Sequence, residues 1–145
     1  MNEIRNRSAY HEYFIEDKYD AGMVLAGTEV KSIREGKVSF ADSFCIFHKG
    51  ELWIKSMHIA EYRLGTTNNH LAVHDRKLLL TKKELRKLES RIKEKGFTIV
   101  PLRIFFNEKG FAKLEIGLGK GKKLFDKRDT LKQRDTEREI KRYLK

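Results

Sequence analysis

Near the end of this 145-residue chain, Gly117-Leu118-Gly119-Lys120-Gly121-Lys122-Lys123 combines backbone freedom with positive charge. Glycine lets a backbone come close to a partner, and lysine favours a partner that is negatively charged. From Gly119 to Lys145 there are eleven Lys or Arg against five Asp or Glu, more than half of the chain's net charge of +11. The chemistry this suits is the gripping of phosphate. Bond-making has less support. His70 and His74 are spaced like a metal pair on a helix, but they stand in loop-like sequence without a third ligand, so no metal is expected. No carboxylate cluster, P-loop, Ser/His/Asp set or Cys/His set marks a catalytic centre, and nothing calls for a cofactor or a small-molecule substrate. A binding protein is expected, and not an enzyme.

Bulk properties agree. A pI near 9.8 with 37% charged residues suits nucleic acid, while 39% hydrophobic residues allow a real core. No run approaches the roughly 18 apolar residues of a spanning helix, and the first seven residues carry no apolar signal core. A single cysteine, Cys45, has no internal disulfide partner. A cytoplasmic protein without membrane attachment is the expectation.

Elements to position these residues can be read in chain order. Met1 to Arg7 reads as a polar tail, Tyr10 to Glu16 as a strand, Asp17 to Gly22 as a turn and Met23 to Ala26 as a second strand. Thr28 to Gly36 has helical spacing, with Thr28 as N-cap and Gly36 as the stop. Ser43–His48 and Glu51–Met57 flank a turn at Lys49-Gly50, and a polar loop follows from Glu61 to Arg76. Thr81-Lys82-Lys83-Glu84 is a capping box, continued by Leu85, Leu88 and Ile92 up to Gly96. Pro101 predicts an edge or a bulge within the strand Phe97–Phe106. After a turn at Asn107–Gly110, Ala112, Leu114, Ile116 and Leu118 should face inward, with Lys113 and Glu115 outward. Phe14, Phe44, Phe47, Trp53, Phe105 and Phe106 are expected mostly in the core. The fold class is mainly β with inserted helices: a small antiparallel OB-like barrel over residues 1–118, then a basic tail over 119–145.

Residues 126–145 favour helix by composition, yet Leu131, Ile140, Tyr143 and Leu144 make no single apolar face. Lys127, Arg134, Arg138, Lys141 and Lys145 instead share one stripe at helical spacing. A helix with a basic seam and no apolar seam gains little by forming alone, so the tail is expected to be disordered and to fold against phosphates.

The whole chain also resembles a known family, the SsrA-binding proteins (small protein B). The resemblance rests on Asn6-Arg7, Ala9, His11–Ile15, Ala21-Gly22, Gly27–Ser32 and Asp42-Ser43. It continues through Asn69-His70, Arg76–Leu80, Lys95-Gly96, Val100–Leu102, Lys113, Ile116-Gly117, Gly119–Lys123 and Asp126–Arg128. It implies a bacterial adaptor that binds the tRNA-like domain of transfer-messenger RNA (tmRNA) and carries it to stalled ribosomes for trans-translation. The body would bind that domain. The tail would occupy the empty mRNA channel near the small-subunit rRNA of the decoding centre. The chain departs from the family pattern in Asn69–Lys77, where a proline and one arginine are missing, and at Asp20, where relatives commonly carry Glu.

On this resemblance, the RNA-binding residues are Asn6, Arg7, His11, Asp20, Asn69, His70, Arg76, Lys77, Leu79, Lys113, Lys120, Lys122 and Lys123. The ribosome-binding tail would use Phe125, Asp126, Lys127, Arg128, Lys132, Arg134, Arg138, Lys141, Arg142 and Lys145. Glu29 is expected to favour its helix through the dipole, ahead of any RNA contact. A rescue hydrolase would need Gly-Gly-Gln, and the chain has no adjacent Gly-Gly. The competing reading is a general OB-type RNA-binding or ribosome-associated protein without selectivity for tmRNA.

Overall fold

The computed structural model describes residues 3–65 and 68–122. Lys123 and the tail positions Phe125, Asp126, Lys127, Arg128, Lys132, Arg134, Arg138, Lys141, Arg142 and Lys145 lie outside them. In chain order the elements are β1 (Ile4–Arg5), α1 (Arg7–Glu12), β2 (Tyr13–Met23), α2 (Gly27–Arg34), β3 (Val38–Ser39) and β4 (Phe44–His48). They continue with β5 (Glu51–Lys55), β6 (His58–Ile59), β7 (Arg76–Leu79), α3 (Lys82–Ile92), β8 (Phe97–Phe106) and β9 (Ala112–Gly121).

Strands β8, β4, β5, β7, β2 and β9 pair in that order, and β9 pairs back onto β8. All these pairings are antiparallel, so the sheet closes into the expected OB-like barrel. β1 adds to the outer side of β8, and β3 pairs with β6 in a separate small ribbon. Leu52, Ile54, Leu78, Ile99, Ile104, Leu114, Ile116 and Leu118 fill the interior, joined by Ile33 from α2 and Leu88 from α3.

Several local readings hold. Lys49 and Gly50 both take positive φ, 52° and 78°, and join β4 to β5 as a tight turn of the kind two-residue hairpins favour. Thr81 Oγ1 accepts the Glu84 N–H at 3.1 Å, while Glu84 Oε1 accepts the Thr81 N–H at 3.0 Å, worth about 1 kcal/mol to α3. Leu114, Ile116 and Leu118 point inward, with Ala112 packed at the margin of the core.

Other readings are corrected. Residues 4–6 are no tail: Ile4 and Arg5 pair with Ile104 and Arg103, and the Asn6 N–H donates to the Leu102 carbonyl. Tyr10 to Glu12 belong to a helix because Ala9 packs on Val100 and Leu102, which outweighs the strand preference of the aromatic residues. Asp17 to Gly22 is no turn but the middle of one 11-residue strand, since β9 supplies hydrogen-bond partners along it. α2 begins at Gly27 with Ala26 as N-cap, which places Thr28 inside the helix. Pro101 lies at a bulge, as one of its two predicted alternatives had it, although β8 has strand neighbours on both sides. None of the six aromatic residues expected in the core is fully buried; Phe14 is 54% exposed, and among the described residues Phe40 and Phe97 are the buried phenylalanines. β9 runs on through Gly119-Lys120-Gly121, beyond the expected end of the body at residue 118.

Candidate nucleic-acid interface

The outer surface of β7, β2 and β9 brings together three residues that lie far apart in sequence. Gly22 is in register with Leu79 on one side and Lys113 on the other. A β-carbon at Gly22 would lie 3.3 Å from Leu79 Cβ and 3.6 Å from Lys113 Nζ, so both side chains close over the space that glycine leaves. Leu79 is half exposed, whereas its neighbour Leu78 is buried by the alternation of the strand. Asp20 is exposed two residues along β2 and in register with Glu115. An apolar side chain, an ammonium and a carboxylate thus share one surface. Such a set can cover a base, pair with a phosphate and accept from an amino group.

Next to this surface lies a cleft of about 650 Å³, lined by Arg5, Asn6, Arg7, Tyr10, His11, Lys18 and Arg103, with Glu3 and Glu115. Asn6 forms its floor: Nδ2 donates to the Pro101 carbonyl at 2.8 Å, and Oδ1 accepts from Ser8 Oγ at 3.0 Å. Arg103 bridges Glu3 and Glu115 and stacks 4.3 Å from the Phe105 ring centre. Burial works against the Arg103 charge, but its hydrogen bonds to Glu115 and Glu3 raise its pKa. Hydrogen bonds from Arg5 and Arg103 hold the Glu3 carboxyl below its usual range. The sequence reading missed Arg5, Tyr10, Lys18 and Arg103. Had residues 17–22 been read as strand, the alternation Glu16, Lys18, Asp20 would have marked Lys18 as outward.

A second basic group gathers where β9 ends against α1. Lys122 Nζ donates to the Tyr10 carbonyl at 2.7 Å and lies 5.0 Å from the Phe14 ring centre. Lys120 Nζ sits 4.7 Å from the Phe97 ring centre, and His11 is exposed on the helix. The glycines between these lysines act differently from expectation. A β-carbon at Gly117 would come within 2.9 Å of Leu102 Cδ1, and one at Gly119 within 3.0 Å of Ile15 Cδ1. They make room for the small apolar cluster beneath α1 and do not lay the backbone open to a partner.

The Asn69–Lys77 segment departs most from the predicted site. Asn69 Oδ1 accepts the Tyr62 N–H at 3.1 Å and Nδ2 donates to the Tyr62 carbonyl at 2.9 Å, which clamps the loop. His70 is buried, with Nε2 donating to the Ile59 carbonyl and Nδ1 accepting from the Thr28 hydroxyl, both at 2.9 Å. Arg76 is 1% exposed, and its guanidinium bonds Glu29 and the carbonyls of Met57, Ala72 and His74. Arg76 thus commits four of its five N–H donors and His70 both ring nitrogens, and both side chains lie inside the fold, so both are corrected to scaffold. Lys77 stays at the surface, paired with Glu51. Glu29 has a larger task than a dipole effect, since it accepts from the Ala26 N–H, Arg76 and His74. Burial alone would raise its pKa, but these hydrogen bonds lower it. Among the described residues, no helix is long and apolar enough to cross a membrane, and no three or more His, Cys, Asp or Glu gather as metal ligands.

Comparison with known proteins bears on the chain as a whole. A family model described as SmpB protein matches residues 3–145. The SsrA-binding protein of Parabacteroides distasonis is 57% identical over 143 residues, covering 99% of this chain and 94% of its own length. That of Bacteroides thetaiotaomicron is 56% identical over 142 residues, with 98% and 95% covered. A solved structure described as "tmRNA-SmpB: a journey to the center of the bacterial ribosome" superposes with a TM-score of 0.74 at 48% identity. It covers 90% of this chain and 91% of the other. The closed barrel and its basic outer surface agree with this match over almost the full length, and the chain belongs to the SmpB family.

Proposed function

We propose that this protein is a tmRNA-binding adaptor of trans-translation, which binds the tRNA-like domain of tmRNA and brings it to stalled ribosomes. The observation that carries the reading is the meeting of Asp20, Leu79 and Lys113 around Gly22. It supplies a base-covering, a phosphate-pairing and an amino-accepting group on one rigid sheet, in a chain of the SmpB family. The protein acts by binding and not by catalysis, in the cytoplasm. Lys120, Lys122 and His11 extend the RNA-binding surface at the α1 end. The basic tail then reaches into the mRNA channel of the ribosome, where it reports that no message is left.

The test is binding to the tRNA-like domain of tmRNA, with ordinary tRNA as competitor, across a salt series. Six to ten phosphate contacts should lower affinity by about 10³-fold or more between roughly 50 and 200 mM salt. Retention of tmRNA against the competitor is the expected result. Equal affinity for both RNAs would reduce the protein to a general RNA binder.

A further inference from the structure

The cleft beside β1 already contains an anion of its own. The Glu3 carboxylate accepts from Arg5 Nε on one oxygen and from Arg103 Nη1, at 2.7 Å, on the other. Two guanidiniums therefore converge on one negatively charged group at the wall of a cleft whose other cations are Arg7 and Lys18. Arg103 is fixed independently of Glu3, since Glu115 holds it at 3.3 Å and the Phe105 ring lies beneath it. Glu3 itself is tied down more lightly. It precedes the first paired residue, Ile4, so its side chain can swing outward without breaking a strand pairing.

We propose that the Glu3 carboxylate stands in for an RNA phosphodiester, which displaces it on binding and takes its place between Arg5 and Arg103. This rests on the RNA-binding reading above and adds to it a particular phosphate site and an internal competitor. Guanidinium suits the exchange, because its planar fork pairs with carboxylate and phosphate in the same bidentate way. The carboxylate keeps Arg5 oriented in the free protein, as Glu115 and Phe105 keep Arg103, so little ordering is left for the RNA to bring about. It also opposes every nucleic acid that approaches. Only an RNA whose backbone reaches the cleft recovers the loss, so Glu3 trades affinity for discrimination.

The sign of the effect makes the test sharp. Full-length wild-type protein, Glu3→Gln and Glu35→Gln are titrated with the tRNA-like domain of tmRNA at low salt. Glu35 pairs with Arg63 outside the cleft and controls for the loss of any acidic group. Glu3→Gln should bind about three- to tenfold more tightly, and Glu35→Gln within about twofold of wild type. Arg103→Gln should bind more weakly, with a salt slope shallower by about 1. The Arg5 and Arg103 Nε–Hε cross-peaks in NMR spectra should shift on adding the RNA, and inorganic phosphate should shift them only at far higher concentration. If RNA binds while Glu3→Gln matches Glu35→Gln and these cross-peaks stay still, the site is overturned and the RNA-binding reading stands. Phosphate acting as strongly as RNA would overturn the RNA assignment in favour of a free-anion site. No RNA binding by the wild-type chain would overturn the functional reading and the site together.

Discussion

Arg76 Nε donates to Glu29 Oε2 at 2.5 Å, with both side chains almost wholly removed from water. The pair ties β7 to α2 across 47 positions of sequence, and His74 Nε2 adds a second hydrogen bond to the same carboxylate oxygen at 3.0 Å. Further bonds from Arg76 to Met57 and Ala72 fix the loop between β6 and β7. A cation so buried and so satisfied belongs to the frame that holds Leu79 in place.

Arg76→Met should therefore cost about 3–5 kcal/mol of stability, because it leaves Glu29 charged, buried and without its main partner. Chemical denaturation measures this directly. The double variant Glu29→Met/Arg76→Met should be less damaged than the two single losses added together. Strict additivity would mean that the two side chains act independently.

The same pair sets a pH dependence. The folded pKa of Glu29 lies below its ordinary value of 4.5. Its stabilising contribution is thus complete above the unfolded value and is lost as pH falls through the lower folded one. Melting temperatures recorded from pH 6 to pH 3 should fall less steeply for Glu29→Gln than for wild type. Parallel curves would show that other carboxylates dominate the acid limb.

Gly117→Ala should destabilise the barrel by about 1–3 kcal/mol through overpacking. The added methyl would meet Leu102 Cδ1 at 2.9 Å and Ile15 Cγ2 at 3.0 Å, and Leu102 is buried with little room to retreat. Adding Leu102→Val, which removes both δ-carbons that the methyl would meet, should recover part of the loss. A fully stable Gly117→Ala protein with weakened RNA binding would return this glycine to the interface.

Leu79→Asp and Lys113→Ala should each weaken binding to the tRNA-like domain while leaving the melting temperature within a few degrees of wild type. For Lys113→Ala the salt slope should become shallower by about 1, as for the loss of one phosphate contact. For Leu79→Asp the slope is not diagnostic, and the readout is loss of competition against tRNA. Unchanged binding in both would remove this face from the site.

Deleting residues 126–145 should leave thermal stability and binding to the tRNA-like domain intact, since the barrel's last strand ends at Gly121. Tagging of peptides on stalled ribosomes should be abolished in a reconstituted translation assay. Loss of RNA binding on truncation would defeat the division between body and tail.

Some of this was legible from sequence because it was local. The Thr81–Glu84 capping box, the Lys49-Gly50 turn and the alternation of Leu114, Ile116 and Leu118 each need only their neighbours. Residues 4–12 and 17–22 were misread because their conformation depends on distant ones, while the strand over Tyr13–Glu16 was legible. Ala9 becomes helical over Val100 and Leu102, and the turn-like residues of Asp17–Gly22 become strand only once β9 lies beside them. The site shows the same division. Leu79 and Lys113 carried a signal through the family resemblance, whereas Arg76 and His70 carried the same signal and proved to be inside. Residue type cannot say whether an arginine's acceptor is a phosphate or a buried carboxylate. Arg103 gave no sign in sequence, because its worth depends on Glu3 and Glu115, 100 and 12 positions away.

Strand β9 carries Lys113 near one end and Lys120 near the other, and it is paired on both sides for most of its length. Seven residues of extended chain span about 23 Å, and a strand so flanked can neither stretch nor fold. The barrel is in this sense a ruler. Whatever meets Lys113 and whatever meets Lys120 are held at a set separation, whatever the affinity of either contact. A one-residue insertion between the two lysines would change that distance little, yet it would turn one of them to the opposite face of the sheet. Binding measured at one end alone would not register the damage; only work that needs both ends at once would.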